Sequence, residues 1–190
     1  MQYVLVLLAA YLIGSISFAI LIASSRGVDI RSEGSGNPGT SNVMRVLGRK
    51  FAVVVLVGDA LKGAVAAAIG AIVIDQTWGW IALLVAVVGH SLPIWHGFRG
   101  GRSVATAVGG IIYLAPVVGL VIALVWIVIL VVWKTASVAS LTAMVLLVPG
   151  LAIAGRPTDQ LLWAAAIALF VILRHSANIA RLARREEQTV

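Results

Sequence analysis

Long apolar stretches limit what this chain can fold into more than any other feature of its sequence. Of its 190 residues, 61% are hydrophobic and 11% are charged, and the mean hydropathy is +1.07. A soluble domain of this size could not bury so much apolar surface, whereas about 20 consecutive apolar residues cross a bilayer as a helix. The sequence therefore predicts an all-α, polytopic membrane protein.

Seven predicted spans make up a single membrane domain over residues 1–190. They cover about residues 3–23, 51–74, 78–95, 104–115, 117–133, 138–153 and 161–173. The apolar run that ends at Trp133 is divided in two because it is too long for one comfortable crossing and is interrupted at Ala115 and Pro116.

The distribution of positive charge predicts the orientation of these spans. The first span follows Met1 with no Lys or Arg before it, which is unlike a cleavable signal peptide and predicts an uncleaved helix with its N-terminus outside. With seven spans the C-terminus lies in the cytoplasm, and Arg156 is the only basic loop residue expected outside. This asymmetry satisfies the positive-inside rule.

Cysteine is absent, which excludes disulfides, thiolate metal sites and thiol nucleophiles.

The basic residues could serve only as topological signals and as anchors for lipid headgroups. Membrane lipids are therefore expected partners, and nucleic acid is not. Glycine and hydroxyl residues among the cations favour a more specific role.

The longest polar segment is a glycine-rich loop over residues 34–42. It contains Gly34, Ser35, Gly36 and Asn37, and Arg45 follows it. Glycines at this density let backbone N–H groups converge on one point, hydroxyl and amide side chains add donors, and arginine adds positive charge. These properties are typical of a phosphate-binding loop. A long surface turn has a similar composition and is the alternative interpretation.

A second basic turn, formed by Gly100, Gly101, Arg102 and Ser103, directly precedes a predicted helix. Free amides and the helix dipole at such an N-terminus favour an anion. A close-packed turn between two helices would also use glycine, and this alternative stays open.

Two pairs of polar side chains lie three residues apart. Ser137 and Ser140 are expected on one side of a helix, although Ser137 could be a simple N-cap. His175 and Asn178 are expected on one face of a helix leaving the membrane, where a histidine could donate to a phosphate or transfer a proton. An amphipathic helix lying on the headgroups is the alternative for this second pair.

Two charged residues, Asp59 and Lys62, lie well inside the second predicted span. Intramembrane charges are costly unless they are paired, and a three-residue spacing lets these two pair with each other. We interpret them as a structural ion pair.

Taken in order, these segments resemble the bacterial acyl-phosphate-dependent glycerol-3-phosphate acyltransferase family over essentially the whole chain. The matching pieces are Gly14-Ser15-Ile16, Asp29-Ile30-Arg31 leading into Gly34-Ser35-Gly36-Asn37-Pro38-Gly39, Gly58-Asp59-Ala60-Leu61-Lys62-Gly63, Gly89-His90-Ser91 through Val104-Ala105-Thr106, and Arg174-His175 through Asn178-Ile179 to Arg181-Leu182. Any one piece could arise by chance, but five in this order are highly specific.

The resemblance implies a seven-helix enzyme of the bacterial inner membrane with its active site at the cytoplasmic surface. It implies transfer of a fatty acyl group from acyl phosphate to the 1-hydroxyl of sn-glycerol 3-phosphate, giving lysophosphatidic acid and phosphate in the first acylation of phospholipid synthesis. Acyl phosphate, glycerol 3-phosphate and membrane lipids are the expected partners, with the enzyme that makes acyl phosphate as a further candidate. No cofactor, metal, acyl-CoA or acyl carrier protein is expected to be required.

The resemblance also implies a set of site residues. The catalytic candidates are Ser35, Arg45, His175 and Asn178. The candidates for binding substrate and phosphate are Gly34, Ser35, Gly36, Asn37, Arg45, Gly100, Gly101, Arg102, Ser137, Ser140, His175 and Asn178. His175 either orients the substrate or assists proton removal from the glycerol hydroxyl, for which the substrate's own phosphate is the alternative acceptor.

Some positions depart from the family pattern. Arg102 and Ser103 stand where the family usually carries lysine and glycine, and Arg185 replaces a glycine of the tail. Glu187 falls where the acidic residue of the family would be. Arginine keeps the positive charge but is larger and less flexible than lysine.

Two other classes of function share parts of this pattern. A transporter of organic phosphates would also have a basic cytoplasmic mouth, but it would need a polar path through the membrane beyond Asp59 and Lys62. A non-catalytic membrane protein that binds anionic headgroups would be sensitive to salt and insensitive to mutation of the loop glycines.

Overall fold

A computed structural model describes residues 1–189, which contain ten α-helices and no β-strand. The helices are α1 Gln2–Ser15, α2 Phe18–Ser24, α3 Thr40–Leu47, α4 Arg49–Val73, α5 Gln76–Ser91, α6 Val104–Leu114, α7 Pro116–Trp133, α8 Ala136–Ile153, α9 Thr158–Arg174 and α10 Ser176–Ala183. A single 3₁₀ turn, Ile94–His96, follows α5. The predicted all-helical fold is confirmed.

The number of membrane crossings differs from the prediction when length alone is considered. Within residues 1–189, five helical segments are long and apolar enough to cross, or six if α9 and α10, which meet at a bend of 57°, count as one. Helix α6 has only 11 residues. At 1.5 Å per residue it is about 16 Å long, against about 30 Å of hydrocarbon. The predicted span at 104–115 is therefore too short to cross by its length alone.

The first predicted span, 3–23, is broken between α1 and α2. Ile16 is extended, and Ser17 caps α2 by accepting a hydrogen bond from the Ile20 N–H at 3.4 Å. The Ile16 carbonyl accepts a hydrogen bond from Lys62 Nζ, which also lies 2.8 Å from Asp59 Oδ1. The predicted Asp59–Lys62 pair is confirmed, and its lysine also satisfies the carbonyl that the break leaves free.

Helix α6 reaches one end of the bundle despite its length. The Leu114 carbonyl, at its C-terminus, accepts hydrogen bonds from Gln76 Nε2 at 3.1 Å and from Arg156 Nη2 at 2.7 Å. Gln76 begins α5, and Arg156 lies in the loop before α9. The end of α6 therefore lies at the same face as the α4–α5 turn and the α8–α9 loop.

Helices α4 and α6 pack with their backbones in contact. A Cβ added at Gly109 would overlap the Ala60 carbonyl oxygen, and one added at Gly63 would overlap the Thr106 carbonyl oxygen. Small residues permit this close approach, which is the main source of helix association where lipid removes the hydrophobic driving force. The position of α6 is therefore fixed by α4.

We expect Gly109→Ala to destabilise the protein by about 1–3 kcal/mol, because the new methyl group must displace the α4 backbone. Gly150→Ala is a matched control in α8, since its Cβ would meet only one methyl group of Val118, at 3.3 Å, and no backbone atom within 4 Å. Thermal unfolding of both variants in the same detergent measures the difference. Equal unfolding temperatures for the two variants would contradict the backbone contact.

Candidate functional site

A cavity of about 290 Å³ opens at the end of the bundle opposite Leu114 and receives most of the predicted site residues. Those that line it are Ser35, Asn37, Arg45, Arg102, Ser137, Ser140, His175 and Asn178. Four predicted glycines do not line it, namely Gly34, Gly36, Gly100 and Gly101. They shape the two loops that do.

The same cavity has an apolar part, formed by α4, α6 and α7. Its lining residues there are Leu56, Ala60, Val108, Ile112, Ala123 and Ile127. A polar end and an apolar end therefore share one open cavity.

The first glycine loop is organised by Asn42, in the first turn of α3. Its Oδ1 accepts a hydrogen bond from the Ser35 N–H at 2.8 Å, and its Nδ2 donates to the carbonyls of Ile30 and Glu33 at 3.1 and 2.9 Å. Gly34 has a φ of +58°, and a Cβ there would overlap Asn42 Oδ1. Glycine is therefore needed for the loop to close over this amide.

The second glycine turn runs back along the last turn of α5. The Gly100 N–H donates to the Ser91 carbonyl at 3.1 Å, and the Gly101 N–H donates to the His90 carbonyl at 3.2 Å. A Cβ at Gly100 would overlap that His90 carbonyl, so only glycine permits the contact. The turn thereby carries Arg102 inward from the end of the bundle to the cavity.

Ser103, at the start of α6, has a left-handed backbone with a φ of +65°. This conformation favours glycine, which is the residue that the family resemblance leads us to expect there. The Ser103 hydroxyl donates to the Val87 carbonyl at 2.7 Å and lies 2.7 Å from Ser91 Oγ. The buried hydrogen bond offsets the backbone strain of a non-glycine residue.

The cations of the site remain charged at neutral pH. Burial lowers the pKa of Arg102 to about 10, and repulsion from Arg181 acts in the same direction. Burial also lowers the pKa of Arg45. Arg102 is only half-buried and Arg45 is exposed, so both guanidinium groups can reach phosphate oxygens, to which they bind strongly.

His175 presents a hydrogen-bond acceptor to the cavity. It is 2% exposed, and its Nδ1 lies 2.8 Å from the Val171 carbonyl. Because a carbonyl can only accept, Nδ1 carries the proton. Burial lowers the pKa of His175, so the ring is neutral at pH 7 and Nε2 has a free lone pair.

The two serines of α8 differ in their bonding. Helix α8 begins at Ala136, so the interpretation of Ser137 as an N-cap is wrong. Its hydroxyl is buried beside the Glu187 carboxylate, whose pKa it helps to lower, and it has no other hydrogen-bond partner among residues 1–189. The Ser140 hydroxyl donates to the Ala136 carbonyl at 2.7 Å and accepts from Trp126 Nε1 at 3.1 Å. Ser137 therefore has the less occupied hydroxyl of the two, and a ligand would compete with Glu187 for it.

The C-terminal tail closes one side of the polar end. Arg45 Nε and Nη2 donate to the carbonyls of Thr189 and Gln188 at 3.0 and 3.3 Å. Glu187 accepts hydrogen bonds from Asn178 Nδ2 and from Arg181 Nε, the latter at 2.7 Å. Partial burial would raise the pKa of Glu187, but these bonds outweigh it and hold the pKa below its usual value.

The family model described as glycerol-3-phosphate acyltransferase matches residues 4–185. The chain belongs to the glycerol-3-phosphate acyltransferase family. A glycerol-3-phosphate acyltransferase of Neisseria meningitidis serogroup C is 41% identical over 94% of this chain and 92% of its own length. The glycerol-3-phosphate acyltransferase of Aquifex aeolicus is 41% identical over 96% of each chain.

Two crystal structures of PlsY (YgiH), an integral membrane glycerol 3-phosphate acyltransferase, match 100% of this chain at 38% identity. The glycerol 3-phosphate form gives a TM-score of 0.95 with 96% of its own chain covered. The lysophosphatidic acid form gives 0.92 with 95% covered. The protein is therefore a multi-span membrane acyltransferase with the fold of PlsY.

Several residues that line the cavity of this acyltransferase were not predicted as site residues, and Asn42, His90 and Trp126 are three of them. His90 Nδ1 lies 3.3 Å from Thr106 Oγ1 and 3.5 Å from Asp59 Oδ1. An amide at the end of a glycine loop and a histidine inside a predicted span are signals that could have pointed to two of them. Trp126 lies in a uniformly apolar run, which carries no such signal.

Ser103 stands where the family usually has glycine, and we expect its hydrogen bond and its backbone strain to have opposite effects on the free energy of unfolding. Ser103→Ala keeps the left-handed strain and loses the bond to Val87, so it should lower the free energy of unfolding by about 1 kcal/mol. Ser103→Gly loses the bond but also the strain, so its effect should stay within about 0.5 kcal/mol. Unfolding midpoints in detergent measure both. A glycine variant less stable than the alanine variant would contradict this account.

Proposed function

We propose that this acyltransferase transfers a fatty acyl group from acyl phosphate to the 1-hydroxyl of sn-glycerol 3-phosphate, giving lysophosphatidic acid and inorganic phosphate. The observation that carries the proposal is a single cavity with a cationic polar end and an apolar end. Acyl phosphate has the same two parts, a phosphate and a hydrocarbon chain. The related PlsY structures are glycerol 3-phosphate and lysophosphatidic acid forms, which correspond to the acceptor and the product.

The polar end has the donors that two phosphates require. Arg102 and Arg45 both line it, as does the Ser137 hydroxyl, which lies beside Glu187. Charge-assisted hydrogen bonds from guanidinium groups are the strongest that a protein offers to phosphate. Arg45 would have to exchange its bonds to the tail carbonyls for bonds to a phosphate. We assign the phosphate-binding role chiefly to these residues and to Ser35 and Asn37 of the first loop.

The apolar end accepts the acyl chain. Helix α7 is mostly exposed on its outer side, where Val117, Leu120 and Leu124 face outward, while Ala123 and Ile127 line the cavity. Burial of each methylene group of the substrate contributes about 0.8 kcal/mol relative to water, so the binding energy of the acyl chain increases with its length. The bound acyl chain then holds the phosphate end of the donor beside Arg102.

The reaction itself needs positioning more than a strong nucleophile. The glycerol 1-hydroxyl oxygen bonds to the acyl carbon, the bond from that carbon to the phosphate oxygen breaks, and inorganic phosphate leaves. The hydroxyl proton passes to His175 Nε2 or to a phosphate oxygen of the substrate. Arg102 stabilises the charge that develops on the leaving phosphate.

We propose the full topology on the charge distribution and on the position of α6. The N-terminus lies outside and the C-terminus in the cytoplasm. Helix α6 is the fourth crossing along the chain and brings the total to seven, since its start reaches inward to Ser103 and its end meets Arg156. The cavity then faces the cytoplasm, where glycerol 3-phosphate is dissolved, and the protein resides in the bacterial inner membrane. The enzyme that makes acyl phosphate is the partner that this orientation favours.

Purified protein given glycerol 3-phosphate and palmitoyl phosphate should form lysophosphatidic acid, and palmitoyl-CoA should not replace the donor. Arg102→Ala should reduce kcat/KM about 100-fold or more, because it removes the half-buried cation at the leaving phosphate. Arg49→Ala, which removes an exposed cation outside the cavity lining, is the matched control and should change kcat/KM by less than about twofold. Product formation is followed by mass spectrometry.

Absence of turnover with either donor, in protein shown to be folded, would contradict the proposal. Flux of glycerol 3-phosphate into liposomes would then test the transporter alternative.

A further inference from the structure

The side chain of Asn178 places an unpaired acceptor oxygen at the cavity. The residue is 1% exposed and lines the cavity, and its side-chain Oδ1 is buried with no hydrogen-bond partner among residues 1–189. A buried acceptor left without a donor is costly, so such an atom points to a ligand that supplies one. A phosphate dianion has no proton to donate. A hydroxyl group does.

The orientation of the Asn178 amide follows from Glu187. A carboxylate can only accept hydrogen bonds, so the Asn178 group that meets it must be the NH₂ group. The oxygen is therefore turned away from Glu187. Arg181 holds the carboxylate through its second oxygen at 2.7 Å, and the Glu187 side chain is only 9% exposed. The chain Arg181–Glu187–Asn178 thus has one consistent arrangement of donors and acceptors.

We propose that Glu187 is a positioning residue, which turns the Asn178 amide so that its Oδ1 accepts a hydrogen bond from a hydroxyl group of glycerol 3-phosphate. This inference rests on the proposed function, because it concerns the acceptor substrate of that reaction. With His175 Nε2, Asn178 gives the cavity two acceptors for the glycerol hydroxyls, beside the donors that bind phosphate.

Replacement of one oxygen of Glu187 by NH₂ should reverse this arrangement. Arg181 can only donate hydrogen bonds. In Glu187→Gln it therefore donates to the oxygen of the new glutamine amide, and the NH₂ group of that amide faces Asn178. Asn178 must then flip and present its own NH₂ group to the cavity. We expect kcat/KM for glycerol 3-phosphate to fall about 10- to 100-fold, as for loss of a buried hydrogen bond. KM for palmitoyl phosphate should be unchanged.

A second substitution should restore the acceptor. In Glu187→Gln with Asn178→Asp, the new amide donates to one oxygen of the new carboxylate, and the other oxygen faces the cavity. The double variant has the same net charge as the original pair. We expect it to recover most of the kcat/KM for glycerol 3-phosphate that the single variant loses. Glu186→Gln makes the same chemical change at the exposed neighbouring residue and is the control.

The outcomes separate the two proposals. If the unaltered protein does not use palmitoyl phosphate, the proposed function fails. If it does, but Glu187→Gln behaves like Glu186→Gln, or the double variant recovers nothing, the positioning role is wrong and Glu187 acts only in folding. Should Glu187→Gln not fold, the double variant is compared with Asn178→Asp alone, whose carboxylate faces Glu187. A double variant no more active than that one would overturn the inference.

Discussion

The site depends on the contact between the 100–103 turn and the last turn of α5. Two glycines let the backbone lie against His90 and Ser91, and this is what carries Arg102 from the end of the bundle into the cavity. The same contact explains how an 11-residue helix can be sufficient for the fold. Because α6 begins inside the bundle, its short length still brings Leu114 to the opposite end. One packing contact therefore determines both the position of a cation and the path of the chain.

A buried ion pair stabilises this arrangement. Asp59 and Lys62 are 1% and 4% exposed, and removing either partner would leave an uncompensated charge in a medium of low dielectric constant. Lys62 reaches the carbonyl freed by the break at Ile16, while Asp59 faces His90, which carries the glycine turn on its backbone. The pair thus connects the broken first span to the wall of the cavity. This connection explains why two charged residues are found inside the membrane, where apolar residues would cost less free energy to bury.

The sequence predicted the features that hydropathy and composition control. Apolar runs predicted the helices, and the three-residue spacing correctly paired Asp59 with Lys62. The sides of the membrane on which the loops lie, inferred from the sign of charge, stay a prediction. The sequence did not predict the break at Ile16, because the lysine that satisfies the freed carbonyl lies 46 positions away in the chain. The same limit applies to Ser137 and Ser140, whose spacing says nothing about Trp126. Hydrogen-bond partners that are distant in sequence decide which hydroxyl is free, and no local pattern contains them.

The chemistry of His175 agrees with a donor that is already activated. A strong general base is usually held by a carboxylate, which stabilises the imidazolium that forms when it takes a proton. Here Nδ1 is held by the uncharged Val171 carbonyl, and burial lowers the pKa of the ring. Such a histidine is well oriented but weakly basic. A mixed anhydride of a fatty acid and phosphate has a good leaving group, so the transition state requires little proton transfer. In the proposed reaction, the protein then chiefly has to hold a hydroxyl, an acyl carbon and a phosphate in line with one another.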